Sequence, residues 1–68
     1  MNIKDNRQAA ITSIINSRRI HTQEELADAL GEKGHSVTQA TLSRDIKELG
    51  AIKVPDADGF YYKMPSRA

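Results

Sequence analysis

The order of apolar and polar residues divides the chain into three segments with helical spacing and one with alternating spacing. In the first segment apolar residues recur every three or four positions, which predicts a helix from about Asp5 to Ser17. Asn2 is an alternative start, because asparagine is a favoured N-terminal capping residue. The apolar stripe of this first helix consists of Ala10, Ile11, Ile14 and Ile15.

The second helix has the clearest start signal. Thr22 and Glu25 have the spacing of a capping box, in which the N-cap hydroxyl accepts the N–H of the third helical residue and the carboxylate of that residue accepts the N–H of the N-cap residue. Gly31 and Gly34 predict the end of the helix and a loop over residues 31–36. Its apolar face consists of Leu26, Ala27, Ala29 and Leu30.

The third helix is predicted between the N-cap Thr38 and the terminating Gly50. Leu42, Ile46 and Leu49 follow at the spacing i, i+4, i+7, and this stripe is typical of a helix face that packs on a core.

After Gly50 the apolar period changes to two, which indicates strands. Residues 52–54 and 60–64 alternate on either side of a Pro-Asp-Ala-Asp-Gly turn over 55–59, and this pattern predicts a β-hairpin. The alternation places Phe60, Tyr62 and Met64 in the core, and it places Lys53 and Lys63 at outward-facing positions. The predicted fold is mainly α with a small β-hairpin (α+β), a winged helix-turn-helix of three helices plus a wing.

Composition limits the possible functions. The chain has 68 residues and no cysteine, which fits one domain and excludes disulfides and thiolate metal sites. No apolar run approaches the roughly 20 residues of a membrane span, so we expect a cytoplasmic protein without a membrane partner. The net charge is only +1. Residues 1–20 are basic and residues 21–35 are acidic, so a nucleic-acid binder must present its positive charge on one face.

The side of the third helix opposite its apolar stripe carries residues suited to DNA. At about 100° per residue, Ala40, Arg44 and Lys47 lie opposite Leu42, with Ser43 beside them. A small residue permits close approach to the major groove, arginine pairs with guanine, and an amide such as Gln39 pairs with adenine. The side chains predicted to hold phosphates and set the register are Thr38, Thr41 and Ser43.

Weaker candidates lie outside the third helix. Lys4 and Arg7 could reach phosphate from the first helix, and Lys53 and Lys63 could do so from the hairpin. The acidic turn with Asp56 and Asp58 argues against deep insertion of the wing into the minor groove. Some of these residues also have non-functional interpretations. Arg44 and Glu48 could form a surface ion pair. The carboxylates Glu24, Asp28 and Glu32 fit a solvated helix face, and His21 and His35 are expected to have no ligand role.

Three runs give the chain a specific resemblance: TQEELADAL, VTQATLSRDIKELGAIKVP and the Gly-Phe-Tyr-Tyr hairpin. Over almost its whole length it resembles the N-terminal DNA-binding domain of bacterial arginine repressors. This resemblance implies that Ser43 and Arg44 are central to DNA contact, with Thr38 and Gln39 before them. It assigns residues 1–65 to the DNA-binding domain and 66–68 to the start of a linker.

The resemblance also implies a C-terminal domain outside this chain, which forms trimers and hexamers and binds L-arginine as corepressor. No cofactor is assigned to the present chain, and the isolated domain is expected to be a monomer. The implied partner is double-stranded operator DNA with AT-rich palindromic half-sites. The implied function is repression of arginine biosynthesis genes, with activation of arginine catabolism as a further role.

Other interpretations remain open at the level of sequence. Winged-helix domains of sugar-responsive repressors have a similar recognition helix, but they join their second and third helices by a tighter turn than GEKGHSV. A winged-helix protein-interaction module is a second alternative, although it leaves Ala40, Ser43 and Arg44 unexplained. An enzyme is not expected, because the sequence contains no acid–base pair, nucleophile constellation or phosphate loop.

Overall fold

A computed structural model describes residues 2–65, and the predicted linker residues 66–68 lie outside that range. Within it, three helices are followed by a two-stranded antiparallel hairpin, so the predicted winged helix-turn-helix is confirmed. The elements in chain order are α1 (Ile3–Ser17), α2 (Gln23–Glu32), α3 (Gln39–Leu49), β1 (Ile52–Asp56) and β2 (Gly59–Lys63).

Each helix begins after a side chain that accepts a backbone N–H group of the first turn. For α1 this side chain is Asn2, whose Oδ1 accepts the N–H of Asp5 at 2.8 Å. The predicted start at Asp5 is therefore wrong, and the alternative start is confirmed. The two predicted threonine caps are confirmed: Thr22 and Thr38 accept the N–H groups of Glu25 and Thr41 at 3.1 and 3.2 Å.

The C-terminal ends of α2 and α3 differ in how well local sequence predicts them. Helix α2 continues through Gly31 to Glu32, so the end predicted at Gly31 is too early. The turn closes beyond that glycine, where the N–H of His35 donates to the carbonyl of Leu30 at 2.8 Å. Helix α3 ends as predicted at Gly50, whose φ of 75° lies in the left-handed region that favours glycine.

One apolar core joins the helices to the hairpin. The isolated Ile20 contributes to it and also binds β2, because its carbonyl accepts the N–H of Tyr62 at 2.8 Å. Ile20 therefore lies along the outer edge of β2. The core side chains are Ile11, Ile14, Ile15, Ile20, Leu26, Ala29, Leu30, Leu42, Ile46 and Tyr62.

The hairpin register corrects the predicted faces of the wing. Lys53 is paired with Tyr62, and Ile52 is paired with Lys63. Directly opposed residues share a face of an antiparallel sheet, so Lys53 and Lys63 lie on opposite faces. Tyr62 is buried and Met64 packs against the core, but Phe60 is 56% exposed, so the prediction that Phe60 is a core residue is wrong.

The turn of the hairpin is shorter than predicted. Pro55 and Asp56 belong to β1, and only residues 57 and 58 form the turn. The Asp56 carboxylate accepts the N–H of Asp58 at 2.9 Å, and Gly59 follows with a φ of 120°. The side chain of Asp56 thus bonds the backbone two residues further on, which stabilises the short turn.

Candidate nucleic-acid interface

The structure separates α3 into a buried side and an exposed side. Leu42 and Ile46 are buried in the core. Opposite them, Ala40, Arg44 and Lys47 are exposed and Ser43 is half-buried. We call Ala40, Ser43, Arg44 and Lys47 the outer face of α3. The face presents one small side chain, one hydroxyl and two cations, which is the combination predicted for contact with a DNA groove.

Arg44 does not form the surface ion pair with Glu48 that was considered as a non-functional alternative. Glu48 binds Lys4 of α1 instead, with Nζ and Oε2 2.9 Å apart. None of the salt bridges within residues 2–65 involves Arg44 or Lys47. Both charges are therefore directed to solvent, where a polyanion can bind them.

The first turn of α3 adds exposed polar groups next to the outer face. Gln39 is exposed and Thr41 is half-buried. The hydroxyl of Thr38 accepts the N–H of Thr41 and donates to Thr41 Oγ1 at 3.0 Å. Thr38 is consequently a capping residue first, and a phosphate contact from its hydroxyl would compete with the cap.

Helix α3 also contains a buried charge that no local sequence pattern predicts. Asp45 is only 1% exposed and is the one buried polar residue in the described part of the chain. Its carboxylate accepts hydrogen bonds from Nε and Nη2 of Arg7, the latter at 3.0 Å. Gln8 Nε2 donates to the same carboxylate at 3.2 Å and to Glu48 at 2.8 Å. The carboxylate thus has three nitrogen donors from α1, as a buried charge requires.

These contacts shift the pKa values of the charged partners. The hydrogen bond from Arg7 lowers the pKa of Asp45, and burial opposes this shift. The same hydrogen bond raises the pKa of Arg7. Hydrogen bonds from Lys4 and Gln8 lower the pKa of Glu48. All three groups are therefore charged at neutral pH.

The geometry does not favour the predicted phosphate contact of Arg7. Its side chain is 15% exposed and two of its nitrogens donate to Asp45. A phosphate would have to compete with the Asp45 carboxylate for these two nitrogens of Arg7. Local sequence does not predict this pairing of Arg7, because its partner Asp45 lies 38 positions away.

In the wing, Asp56 is turned toward the body of the domain. Its Oδ2 lies 3.0 Å from Nε2 of His21 and 3.5 Å from Nη1 of Arg19. Burial raises the pKa of Asp56, but the hydrogen bonds from His21 and the Asp58 N–H outweigh it and lower the pKa. Arg19 also lies over the ring of Tyr61 at 4.3 Å. Of the two acids that argued against wing insertion, only Asp58 is exposed at the tip.

The remaining sequence candidates are solvated or internally bonded. Glu24, Asp28 and Glu32 are exposed, as expected for a solvated face. His21 lies with Asp56 and Asp58 in a group whose potential ligand atoms are within 4.8 Å of one another. Arg19 is bonded to the same carboxylate, and its positive charge disfavours a cation there.

Comparison with known proteins identifies the family of the chain. Residues 2–68 match the family described as the arginine repressor, DNA binding domain. The chain belongs to the arginine repressor family. Among curated relatives, the arginine repressor of Desulfitobacterium hafniense is 55% identical over 97% of this chain and 45% of its own length. The corresponding protein of Syntrophomonas wolfei is 54% identical over 93% of this chain and 41% of its own length. That of Geobacillus stearothermophilus is 55% identical over 93% of this chain and 43% of its own length.

The chain spans less than half of the length of the curated repressors that it matches. In the part of the chain that the structure describes, no helix is long and apolar enough to cross a membrane.

Proposed function

We propose that this domain binds operator DNA by placing α3 in the major groove, with Arg44 as the chief base-reading side chain. The observation that carries the proposal is the outer face of α3, where Arg44 and Lys47 are exposed beside Ala40 and opposite a buried stripe. Arginine presents a planar fork that matches the O6 and N7 atoms of guanine. In this proposal Gln39 reads an adjacent base, and phosphates are bound by Lys47, Ser43 and Thr41.

The wing and the rest of the molecule have supporting roles in this proposal. Lys53 and Lys63 are exposed on opposite faces of the hairpin, so only one of them can face a given stretch of backbone. Thr38 and Arg7 contribute mainly by holding α3, because the hydroxyl of the first and the guanidinium of the second are bonded within the domain.

For the whole protein we propose transcriptional regulation of arginine metabolism in the cytoplasm. The names of the relatives and the family description support this assignment. In this proposal the operator is palindromic and AT-rich, and it lies near genes of arginine metabolism. A C-terminal domain outside this chain would form trimers or hexamers and bind L-arginine as corepressor. An interaction module that binds protein instead of DNA is the alternative that the following experiment separates.

Fluorescence anisotropy tests the role of Arg44 directly. The domain is titrated with an AT-rich palindromic duplex and with a scrambled duplex, each at two salt concentrations. We expect Arg44→Ala to lose about 1–3 kcal/mol of discrimination between the two duplexes, the typical contribution of one good base contact. Lys47→Ala should weaken binding to both duplexes alike and reduce the salt slope by about 1, because it removes a phosphate contact.

Two matched variants control for charge. Arg44→Lys keeps the positive charge but loses the fork, so it should keep the salt slope and lose discrimination. Lys33→Ala removes an exposed charge outside the outer face of α3 and should leave discrimination unchanged. Absence of binding to either duplex at low salt would exclude DNA reading by the isolated domain and favour the protein-interaction alternative.

A further inference from the structure

A polar network joins one edge of α3 to the N-terminal half of α1. We define the α1–α3 network as Lys4, Arg7 and Gln8 of α1 together with Asp45 and Glu48 of α3. The two α3 residues are three positions apart, so they lie one above the other on the same side of the helix. That side lies between the buried stripe of α3 and its outer face.

We propose that the Arg7–Asp45 pair of this network is a positioning device that sets the rotation of α3 about its own axis and so determines operator discrimination. The proposal rests on the proposed function, because it concerns how α3 presents Arg44 to DNA. Arg7 and Asp45 act in it without touching DNA themselves.

The geometry of the pair supports a directional role. Arg7 Nε and Nη2 donate to the two different oxygens of Asp45, which is the bidentate arrangement of a guanidinium and a carboxylate. Such a pair constrains both the distance and the relative orientation of its groups. Apolar contacts between the same helices would permit more sliding, because the hydrophobic effect has no preferred direction.

The position of Asp45 on α3 makes its orientation matter for DNA. Asp45 follows Arg44 in sequence, so the two side chains leave the helix about 100° apart. Side-chain tips lie about 5–6 Å from the helix axis, so a rotation of about 20° moves the outer face by about 2 Å. Hydrogen bonds to base edges weaken steeply outside a range of about 0.5 Å. Small rotations of α3 are therefore sufficient to misplace Arg44.

A second attachment limits tilting of α3 as well as rotation. Gln8 Nε2 bonds to both Asp45 and Glu48, and Lys4 holds Glu48 at 2.9 Å. The network therefore binds α3 at two points one helical turn apart. Glu48 is half-exposed, so its contacts are the weaker of the two attachments.

The decisive variant replaces the buried pair by apolar side chains of similar size, Arg7→Met together with Asp45→Leu. Such replacements commonly preserve or raise stability, because both desolvated charges disappear. We expect the double variant to fold and to bind duplex DNA with a similar salt slope. Its discrimination between operator and scrambled duplex should fall by about tenfold or more, the effect of misplacing one base contact.

The orientation of α3 is measured independently of DNA by residual dipolar couplings of the backbone amides. In the double variant the couplings of residues 39–49 should no longer fit the wild-type orientation relative to α2, whereas those within α2 should still fit. Ile14→Val is the control for reduced core packing, because Ile14 is a buried α1 side chain outside the network. It should keep both the orientation and the discrimination.

The outcomes separate this inference from the proposed function. A double variant with wild-type discrimination and wild-type couplings overturns the inference and leaves the proposed function intact. A wild-type domain that does not discriminate between the duplexes overturns the proposed function, and the inference fails with it. If the double variant does not fold, Arg7→Lys replaces it; this single change keeps the charge but loses the fork, and it too should reduce discrimination and shift the couplings.

Discussion

At the scale of single residues, Asp45 is a charged residue of α3 whose contacts lie inside the domain. The carboxylate is buried, yet every donor that holds it comes from α1. Removing one partner of a buried pair leaves an uncompensated charge, which typically costs about 3–5 kcal/mol. The whole domain is expected to have a stability of about 3–10 kcal/mol at 0.05–0.15 kcal/mol per residue. One side chain therefore controls a large part of the free energy of unfolding.

The lowered pKa of Asp45 predicts how this contribution depends on pH. The folded pKa lies below the unfolded value, which is about 3.9. The stabilisation is thus complete above about pH 5, and it is lost as the pH falls through the folded pKa. We expect Asp45→Asn to lower the free energy of unfolding most at pH 7, and the difference from wild type should shrink steadily below pH 4. Urea denaturation at several pH values measures this difference.

Glu48→Gln is the matched control for the acid effect. The pKa of Glu48 is lowered in the same direction, so its contribution also decreases as the pH falls. The group is half-exposed and screened by solvent, so the change should be smaller than for Asp45→Asn and should decrease further in high salt. An Asp45→Asn difference that is equal at pH 7 and pH 3 would contradict a lowered pKa of Asp45 in the folded state.

At the scale of elements, the ends of the helices decide how α3 is presented. Thr38 begins the helix with a local hydrogen bond, and Gly50 ends it in a left-handed conformation. Both signals lie within a few residues of the positions that they define. The length and start of the candidate recognition helix are therefore largely encoded by its own sequence.

Two glycines with different conformations should respond in opposite ways to the same substitution. Gly50 has a φ of 75°, so Gly50→Ala should lower stability by about 1–2 kcal/mol through backbone strain. Gly31 lies inside α2 and an added Cβ would meet nothing within 4 Å, so Gly31→Ala should raise stability by about 0.5–1 kcal/mol. Thermal unfolding of both variants tests the assignment of the two helix ends. Equal shifts in the same direction would contradict it.

The range of the interactions explains which features the sequence allowed us to predict. The caps at Thr22 and Thr38 and the end at Gly50 depend on neighbouring residues, and they were predicted correctly. Arg7 and Asp45 are 38 positions apart in the sequence, so no local pattern predicts the hydrogen bonds between them. Alternation correctly places Phe60 on the same face as the buried Tyr62, but Phe60 pairs with Pro55 next to the turn, and alternation does not predict how far the core extends along that face.

At the scale of the whole molecule, the domain is small and almost neutral. Its net charge of +1 gives little general attraction to DNA, so the proposed operator binding would depend on the local arrangement on α3. A single copy should therefore bind weakly. Several copies held together bind the second half-site at a high effective concentration, without any new contact.

Covalent tethering should reproduce this effect. Two copies joined by a flexible linker long enough to reach both half-sites should bind a palindromic duplex about 10²–10⁴ times more tightly than one copy. The gain should disappear when one half-site is scrambled. Anisotropy titrations of the single and tethered proteins on both duplexes measure it. An equal gain on the half-site duplex would show that tethering acts through added charge instead of simultaneous binding.

Pro55 limits strand pairing between the wings of neighbouring domains. The outer edge of β2 is bonded to Ile20, so the N–H of Tyr62 points away from β1. By the alternation of an antiparallel ladder, Lys53–Tyr62 and Pro55–Phe60 are the non-hydrogen-bonded pairs, and β1 directs the backbone groups of residues 53 and 55 outward. Proline removes one of the donors on this open edge, and the exposed Lys53 adds a charge to it. The strand of a second wing therefore pairs poorly with this edge of β1. In the proposed assembly on an operator, neighbouring domains can therefore lie side by side without the edge-to-edge pairing that leads to aggregation.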